Sequence, residues 1–170
     1  MRTRWLPFEL HPDTPAEGAP KPFTDEQWPA IERRLRMLAR QVGVAIEPPR
    51  RNVNSRLALE AGELVRARAG DESSAAFHHA VSRAFFVDGA DIADLQVIAK
   101  LAAPFGANEE DIRAAWTSHE YAGAIESSMR AARMAGVTGV PAFGWPGARA
   151  VSGMMEPQRI VALLQDSLRA

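Results

Sequence analysis

A hydrophobic pattern of helical period runs from about residue 24 to residue 135, and it dictates a mostly helical interior. Thr24-Asp25-Glu26-Gln27 has the form of a capping box, and Trp28, Ile31, Leu35 and Leu38 follow as one stripe that stops at Gly43. Pro29 shifts the start to Trp28, because a proline is tolerated only in the first turn. Asn54 is expected to cap a second helix, with Leu57, Ala58, Ala61, Leu64 and Val65 on one face and Gly70 at its end. A third covers about 72–87 through Phe77, Ala80, Val81, Ala84 and Phe85. Asp94 starts a fourth, which carries Leu95, Ile98, Ala102 and Phe105 up to Gly106. Asn108 opens a fifth, with Glu109, Glu110 and Asp111 at the positive end of the helix dipole and Ile112 and Trp116 as its buried members. The last of the run, about 119–135, presents Ala122, Ile125, Met129 and Ala132 and stops at Gly136.

Both ends of the chain differ from this block. Thr3 to Leu10 reads as a short strand, with Pro7 forcing an edge position or an irregularity, and residues 11–23 hold four prolines and one glycine, an extended connector. Val140 to Trp145 reads as a strand, Pro146-Gly147 as a type II turn, and Arg149 to Ser152 as the returning hairpin partner. A final helix is expected to turn Ile160, Val161, Leu164 and Leu168 inward.

Composition removes several functions. A length of 170 residues suits one domain, or one domain with an insertion. With 20 basic and 21 acidic side chains the net charge is −1, which argues against nucleic acid as a partner. The arginines are scattered among acids along helix faces. No apolar run reaches the roughly 18–20 residues a membrane span needs, and the N-terminus lacks the apolar core of a signal peptide. No membrane partner is expected, and the expected location is cytoplasmic. The chain has no cysteine, so disulfides, thiolate metal sites and a cysteine nucleophile are all excluded within it.

Other chemical groups read as structural. His78 and His79 are adjacent, point about 100° apart on a helix, and have no carboxylate three or four residues away, so no metal site is expected. His11 and His119 are isolated and suit surface or capping roles. Asp88, Asp91 and Asp94 lack the alternate spacing and closing glutamate of a calcium loop and read as helix caps. Trp28, Phe77, Phe85, Phe86, Phe105 and Trp116 follow helical periods and are assigned to the core.

The segment Gly136-Val137-Thr138-Gly139-Val140-Pro141-Ala142-Phe143 resembles the cis-proline loop of DsbA-like thioredoxin-fold oxidoreductases, specifically their cytoplasmic FrnE-like branch. Four further blocks match that branch in order: Phe8 to Asp13, Asn54-Ser55, Ala84 to Ile92, and Val151-Ser152-Gly153. The likeness spans essentially the whole chain. It implies an α/β, thioredoxin-like fold with an inserted α-helical domain. Residues 1–22 would be a thioredoxin-like strand and connector, 23–120 the helical insertion, and 121–170 the C-terminal half carrying the proline loop. It also implies thiol–disulfide exchange on protein or peptide substrates through a Cys-x-x-Cys pair, with no cofactor. Val140 and Pro141 would be the substrate-binding residues, joined by a cis peptide bond, the Val140 backbone pairing with an extended peptide.

This chain departs from the family at the decisive place. The family's first core strand, its Cys-x-x-Cys and the following helix would precede Thr3, where only Met1 and Arg2 stand. The expectation is therefore an incomplete fold with no catalytic residue, caused by an incorrect gene start, an expressed fragment or a redox-dead relative. Residues 5–10 and 142–145 would then stand roughly 10 Å apart, two strand spacings, and the open sheet edges would favour self-association. Two other functions remain open. One is a glutathione-dependent 2-hydroxychromene-2-carboxylate isomerase or kappa-type transferase relative, in which Asn54 would touch glutathione. The other is a non-catalytic peptide-binding module. Met154 and Met155 could line an apolar peptide surface in either peptide-binding case, though plain packing is the simpler role.

Overall fold

The computed structural model describes residues 4–145 and 149–167. They form two compact units, one of residues through Trp5 with His11–Ala122, the other of Leu6–Leu10 with the chain from Gly123 onward.

The first unit is helical. Its only ladder pairs β1 (Ala19–Pro20) with β2 (Arg51–Asn52) antiparallel, as far as the described residues go. Between them stands α1 (Trp28–Gln41). The capping box before it is formed: the Thr24 N–H donates to Gln27 Oε1 at 3.0 Å, and the Gln27 N–H donates to Thr24 Oγ1 at 3.3 Å. Pro29 sits in the first turn, as the sequence requires. Of the expected stripe only Trp28 is buried; Ile31, Leu35 and Leu38 are half-buried, because no other helix packs closely on α1.

The two helices expected on either side of Gly70 are both present; they follow one another directly within α2 (Arg56–Phe86), broken at Gly70 (φ 85°, ψ 179°), a backbone position open essentially to glycine alone. The two halves fold back on each other. Ser74 Oγ donates to the Gly62 carbonyl at 3.1 Å, and a Cβ at Gly62 would lie 2.7 Å from His78 Cε1, so only glycine admits the imidazole. His78 lies among Trp5, Phe77 and His79. Burial above all, then the charges of Arg66 and His79, push its pKa down to about 4. Arg66 beside it pairs with Glu63 and Asp71 and donates to the Trp5 carbonyl.

Asn54 does not cap by itself. The first non-helical residue before α2 is Ser55, whose side chain makes no cap bond. Asn54 Oδ1 instead accepts from the Arg56 N–H at 3.0 Å while its Nδ2 donates to the Thr14 carbonyl at 2.8 Å. It thus starts the helix and pins the connector together.

α3 (Leu95–Ala102) begins with Asp94 accepting from the Gln96 and Val97 N–H groups, and a 3₁₀ turn, Ala103–Phe105, follows. The helix-capping role expected for Asp88, Asp91 and Asp94 is realised only by Asp94: Asp91 Oδ1 accepts from the Ala93 N–H at 2.9 Å in the turn before α3, and the Asp88 side chain makes no cap bond among the described residues. α4 (Glu109–Ser118) opens with a complete capping box between Asn108 and Asp111. Asp111 also takes Arg68 at 2.7 Å, which joins α4 to α2. That guanidinium, then the Asn108 N–H, holds the Asp111 carboxyl below its usual range. The core of this unit is Leu57, Ala61, Val65, Phe77, Ile98 and Ile112 with their neighbours, and Phe85 and Phe105 pack against it half-buried.

Two aromatic assignments need correcting. Trp116 is 37% exposed, because Ile112 and Ala115 fill the inward stripe of α4 and leave Trp116 at its edge. Phe86 is 42% exposed; neighbours on a helix diverge by about 100°, so Phe85 turns inward and Phe86 stands edge-on to it at 4.8 Å.

The second unit contains α5 (Ala122–Met134, from Gly123 onward), β3 (Ala142–Phe143), β4 (Val151–Ser152) and α6 (Pro157–Ser167). The strand expected at Thr3–Leu10 is absent among the described residues. Pro7 has no N–H to give a ladder, and its carbonyl accepts from Ser128 Oγ at 2.7 Å, while the Glu9 N–H donates to Met129 Sδ at 3.0 Å. Side chains of α5 therefore hold the backbone groups that a neighbouring strand would use. Val161, expected inward on α6, is 51% exposed, while Ile160 and Leu164 are half-buried. Pro146-Gly147 and Leu168 lie outside the described residues. Among the described residues no helix is long and apolar enough to cross a membrane.

Candidate functional site

The loop singled out in the sequence begins at the end of α5. The Gly136 N–H donates to the Arg133 carbonyl at 3.0 Å and the Val137 N–H to the Ala132 carbonyl at 2.9 Å, with Gly136 left-handed at φ 81°. This is a Schellman ending, and it explains the glycine: a residue with a Cβ is strained there, and the Cβ would meet the Arg149 guanidinium at 3.4 Å.

From there the chain passes through Thr138 and Gly139 to Val140–Pro141, whose peptide bond is cis. Pro141 leads directly into β3. β3 pairs antiparallel with β4, Ala142 opposite Ser152 and Phe143 opposite Val151, so the expected hairpin partner is in place. The Gly153 N–H extends the pairing to the Pro141 carbonyl at 2.8 Å, and the Ala150 N–H donates to the Ala135 carbonyl at 3.1 Å. The loop is thereby fixed at both sides: by the capped helix behind it and by the returning strand beside it. No ladder joins β3 or β4 to residues 6–10 among the described residues.

Val140 is 50% exposed, and neither its N–H nor its C=O has a partner among the described residues. An exposed backbone donor and acceptor next to a strand suit pairing with an extended peptide. Met154, 74% exposed, and Met134, 89% exposed, belong to the same unit. Residues 6–10 and 123–170 contain no His, Cys or Lys. This unit therefore has no thiolate nucleophile of its own, and what it offers a peptide is the exposed backbone at Val140.

The other sequence candidates fall elsewhere. All four histidines belong to the first unit. His78 and His79 flank Trp5, and no group of three or more metal-ligating side chains occurs among the described residues. His119 is a left-handed helix end at φ 55°, and the His11 carbonyl closes a turn with Thr14. Both oxygen and nitrogen of the Asn54 side chain are engaged within the chain, which leaves neither aimed at a ligand. The ties of Ala150 and Gly153 to the loop were not legible in the sequence, because such bonds join residues distant along it.

A family model for the DSBA-like thioredoxin domain matches residues 1–165. The crystal structure of a probable DsbA oxidoreductase from Streptomyces coelicolor superposes with a TM-score of 0.79 at 26% identity, covering 95% of this chain and 73% of that one. A proposed protein disulfide isomerase from Nitrosomonas europaea gives a TM-score of 0.69 at 19% identity, over 89% of this chain and 78% of that one, and shows likeness of fold. No curated protein matches the chain. The fold is the α/β thioredoxin-like fold with a helical insertion, and the chain belongs to the DsbA-like thioredoxin-domain family, whose chemistry is that of thiol–disulfide oxidoreductases.

Proposed function

We propose that these residues form the substrate-binding part of a DsbA-type system that handles protein thiols and disulfides, oxidising or isomerising them, with Val140 and Pro141 presenting backbone to an extended peptide. The observation that carries this reading is the half-exposed Val140, with a free backbone N–H and C=O, at the entrance to a hairpin held by Gly153 and Ala150. Exchange needs a thiolate to attack a disulfide sulfur, and the 170 residues contain no cysteine, so these residues by themselves carry out no thiol–disulfide exchange. That absence favours one second reading, a peptide-binding module without chemistry. Glutathione as ligand draws no support from Asn54, whose side chain is already engaged.

The test is an amide-resolved NMR titration of the 170-residue protein with an extended peptide containing one cysteine. Shifts confined to about residues 137–143 and 150–153 are expected, and Val140→Pro, which removes the N–H, should weaken binding. Unperturbed signals in this loop, or equal binding by the variant, would overturn the proposal. Insulin reduction catalysed by the intact chain would contradict the statement that it lacks turnover.

A further inference from the structure

The outer face of α1 is unlike the rest of the surface. Arg33, Arg36, Met37 and Arg40 are spaced i, i+3, i+4, i+7 and so share one face of the helix. Met37 is 54% exposed. Arg36 is occupied, donating to Glu32 at 2.7 Å and to Glu47 at 2.6 Å, yet its buried Nε–H has no partner. Arg33, Arg34 and Arg40 have no ionic partner among the described residues. At the end of this stripe is a cleft of about 450 Å³ lined by Arg36, Arg40, Gly43, Val44, Ala45 and Ile46. At the end of α1 the Val42 and Val44 N–H groups donate to the Ala39 carbonyl and the Gly43 N–H to the Arg40 carbonyl, and the cleft walls present the Arg36 and Arg40 side chains beside Val44, Ala45 and Ile46.

We propose that this stripe and cleft bind an acidic, apolar segment of a polypeptide, carboxylates meeting Arg33 and Arg40 and an apolar side chain entering against Val44. The proposal rests on the reading of the chain as one that handles protein substrates, and names a substrate class for it. Charge complementarity selects the occupant. A second copy docked face to face would bring the same arginines together. A lipid surface needs a continuous apolar face, whereas Ile31, Leu35 and Leu38 are half-covered by the chain itself. Nucleic acid needs a concentrated basic surface, which a chain of net charge −1 does not supply. Met37 suits varied sequences, because its flexible thioether adapts to different partners.

The experiment measures fluorescence anisotropy with a cysteine-free peptide of alternating glutamate and leucine and with its glutamine counterpart. The acidic peptide should bind more tightly, and its affinity should fall as salt rises. The double variant Arg33→Glu/Arg40→Glu should weaken binding by about tenfold or more, with unchanged circular dichroism, since both side chains are exposed. Met37→Ser should weaken binding a few-fold without altering the salt dependence. Equal affinity for the two peptides, or an unaffected double variant, would overturn the proposal. So would anionic vesicles that bind this face and exclude the peptide, or a dimer in sedimentation equilibrium that the double variant abolishes. Because Arg33→Glu/Arg40→Glu changes α1 alone, failure here leaves the Val140 loop untouched, and the NMR titration reports on that loop separately.

Discussion

His78 couples the stability of the fold to pH. With its pKa pushed down to about 4, against about 6.5 in the unfolded chain, it is neutral when folded. The unfolded state then binds more protons between these values, so stability is full above about pH 6.5 and falls as the pH drops towards 4. The slope integrates to about 3 kcal/mol at most, since one pKa unit is worth 1.36 kcal/mol. Urea midpoints measured from pH 7.5 to 4 should show this decline, and His78→Phe should flatten it. A decline of equal size in the variant would place the effect elsewhere. The groups around the ring are Arg66, His79, Trp5 and Phe77, and Glu63 and Asp71 are already paired with Arg66. No carboxylate is therefore left to welcome an imidazolium among these neighbours.

Among the elements, α2 depends most on a single residue. Gly70 (φ 85°, ψ 179°) lets two amphipathic halves fold back so that Ser74 and His78 meet Gly62. Gly70→Ala has open space for its methyl group, so any cost is conformational and not steric. It should destabilise by about 1–3 kcal/mol, read from the denaturation midpoint, while Lys100→Ala on the exposed side of α3 should be near neutral. An unchanged midpoint would mean that the bend tolerates a side chain. Element starts were largely legible: the Thr24–Gln27 box bonds as its spacing required, and Asp94 and Asn108 open their helices as expected, while the reciprocal bond of Asp111 to the Asn108 N–H was added by the structure. The strand at Thr3–Leu10 was not, because its apolar residues fit a strand while its backbone partners, Ser128 and Met129, lie about 120 positions along the chain.

For the whole molecule, one cluster centred on Phe77, Ile98 and Ile112 unites α2, α3 and α4. Phe77 is fully buried and edge-on to Phe105 at 6.2 Å. Phe77→Ala should cost about 3–5 kcal/mol and reduce the cooperativity of thermal unfolding seen by far-ultraviolet circular dichroism. A cost under 1 kcal/mol would show that the cluster does not hold these helices together. The candidate binding site draws on different segments, and its legibility came from the local pattern of Gly136, Gly139 and Pro141, in which each residue's backbone freedom is intrinsic.

What the sequence determined by itself were the properties that short range fixes: helix period, most caps, the glycine stops, the return of residues 149–152 beside β3, and the lack of any thiol. Backbone hydrogen bonding within a few residues and side-chain periodicity suffice for these. Tertiary structure alone decided that the halves of α2 fold together at Gly62, that Trp116 and Phe86 face outward, and that residues 6–10 lie bonded to α5. It also decided that α1 keeps a basic face uncovered. Each of these depends on which distant surface arrives to take up an apolar face or a backbone group, and periodicity carries no record of the partner.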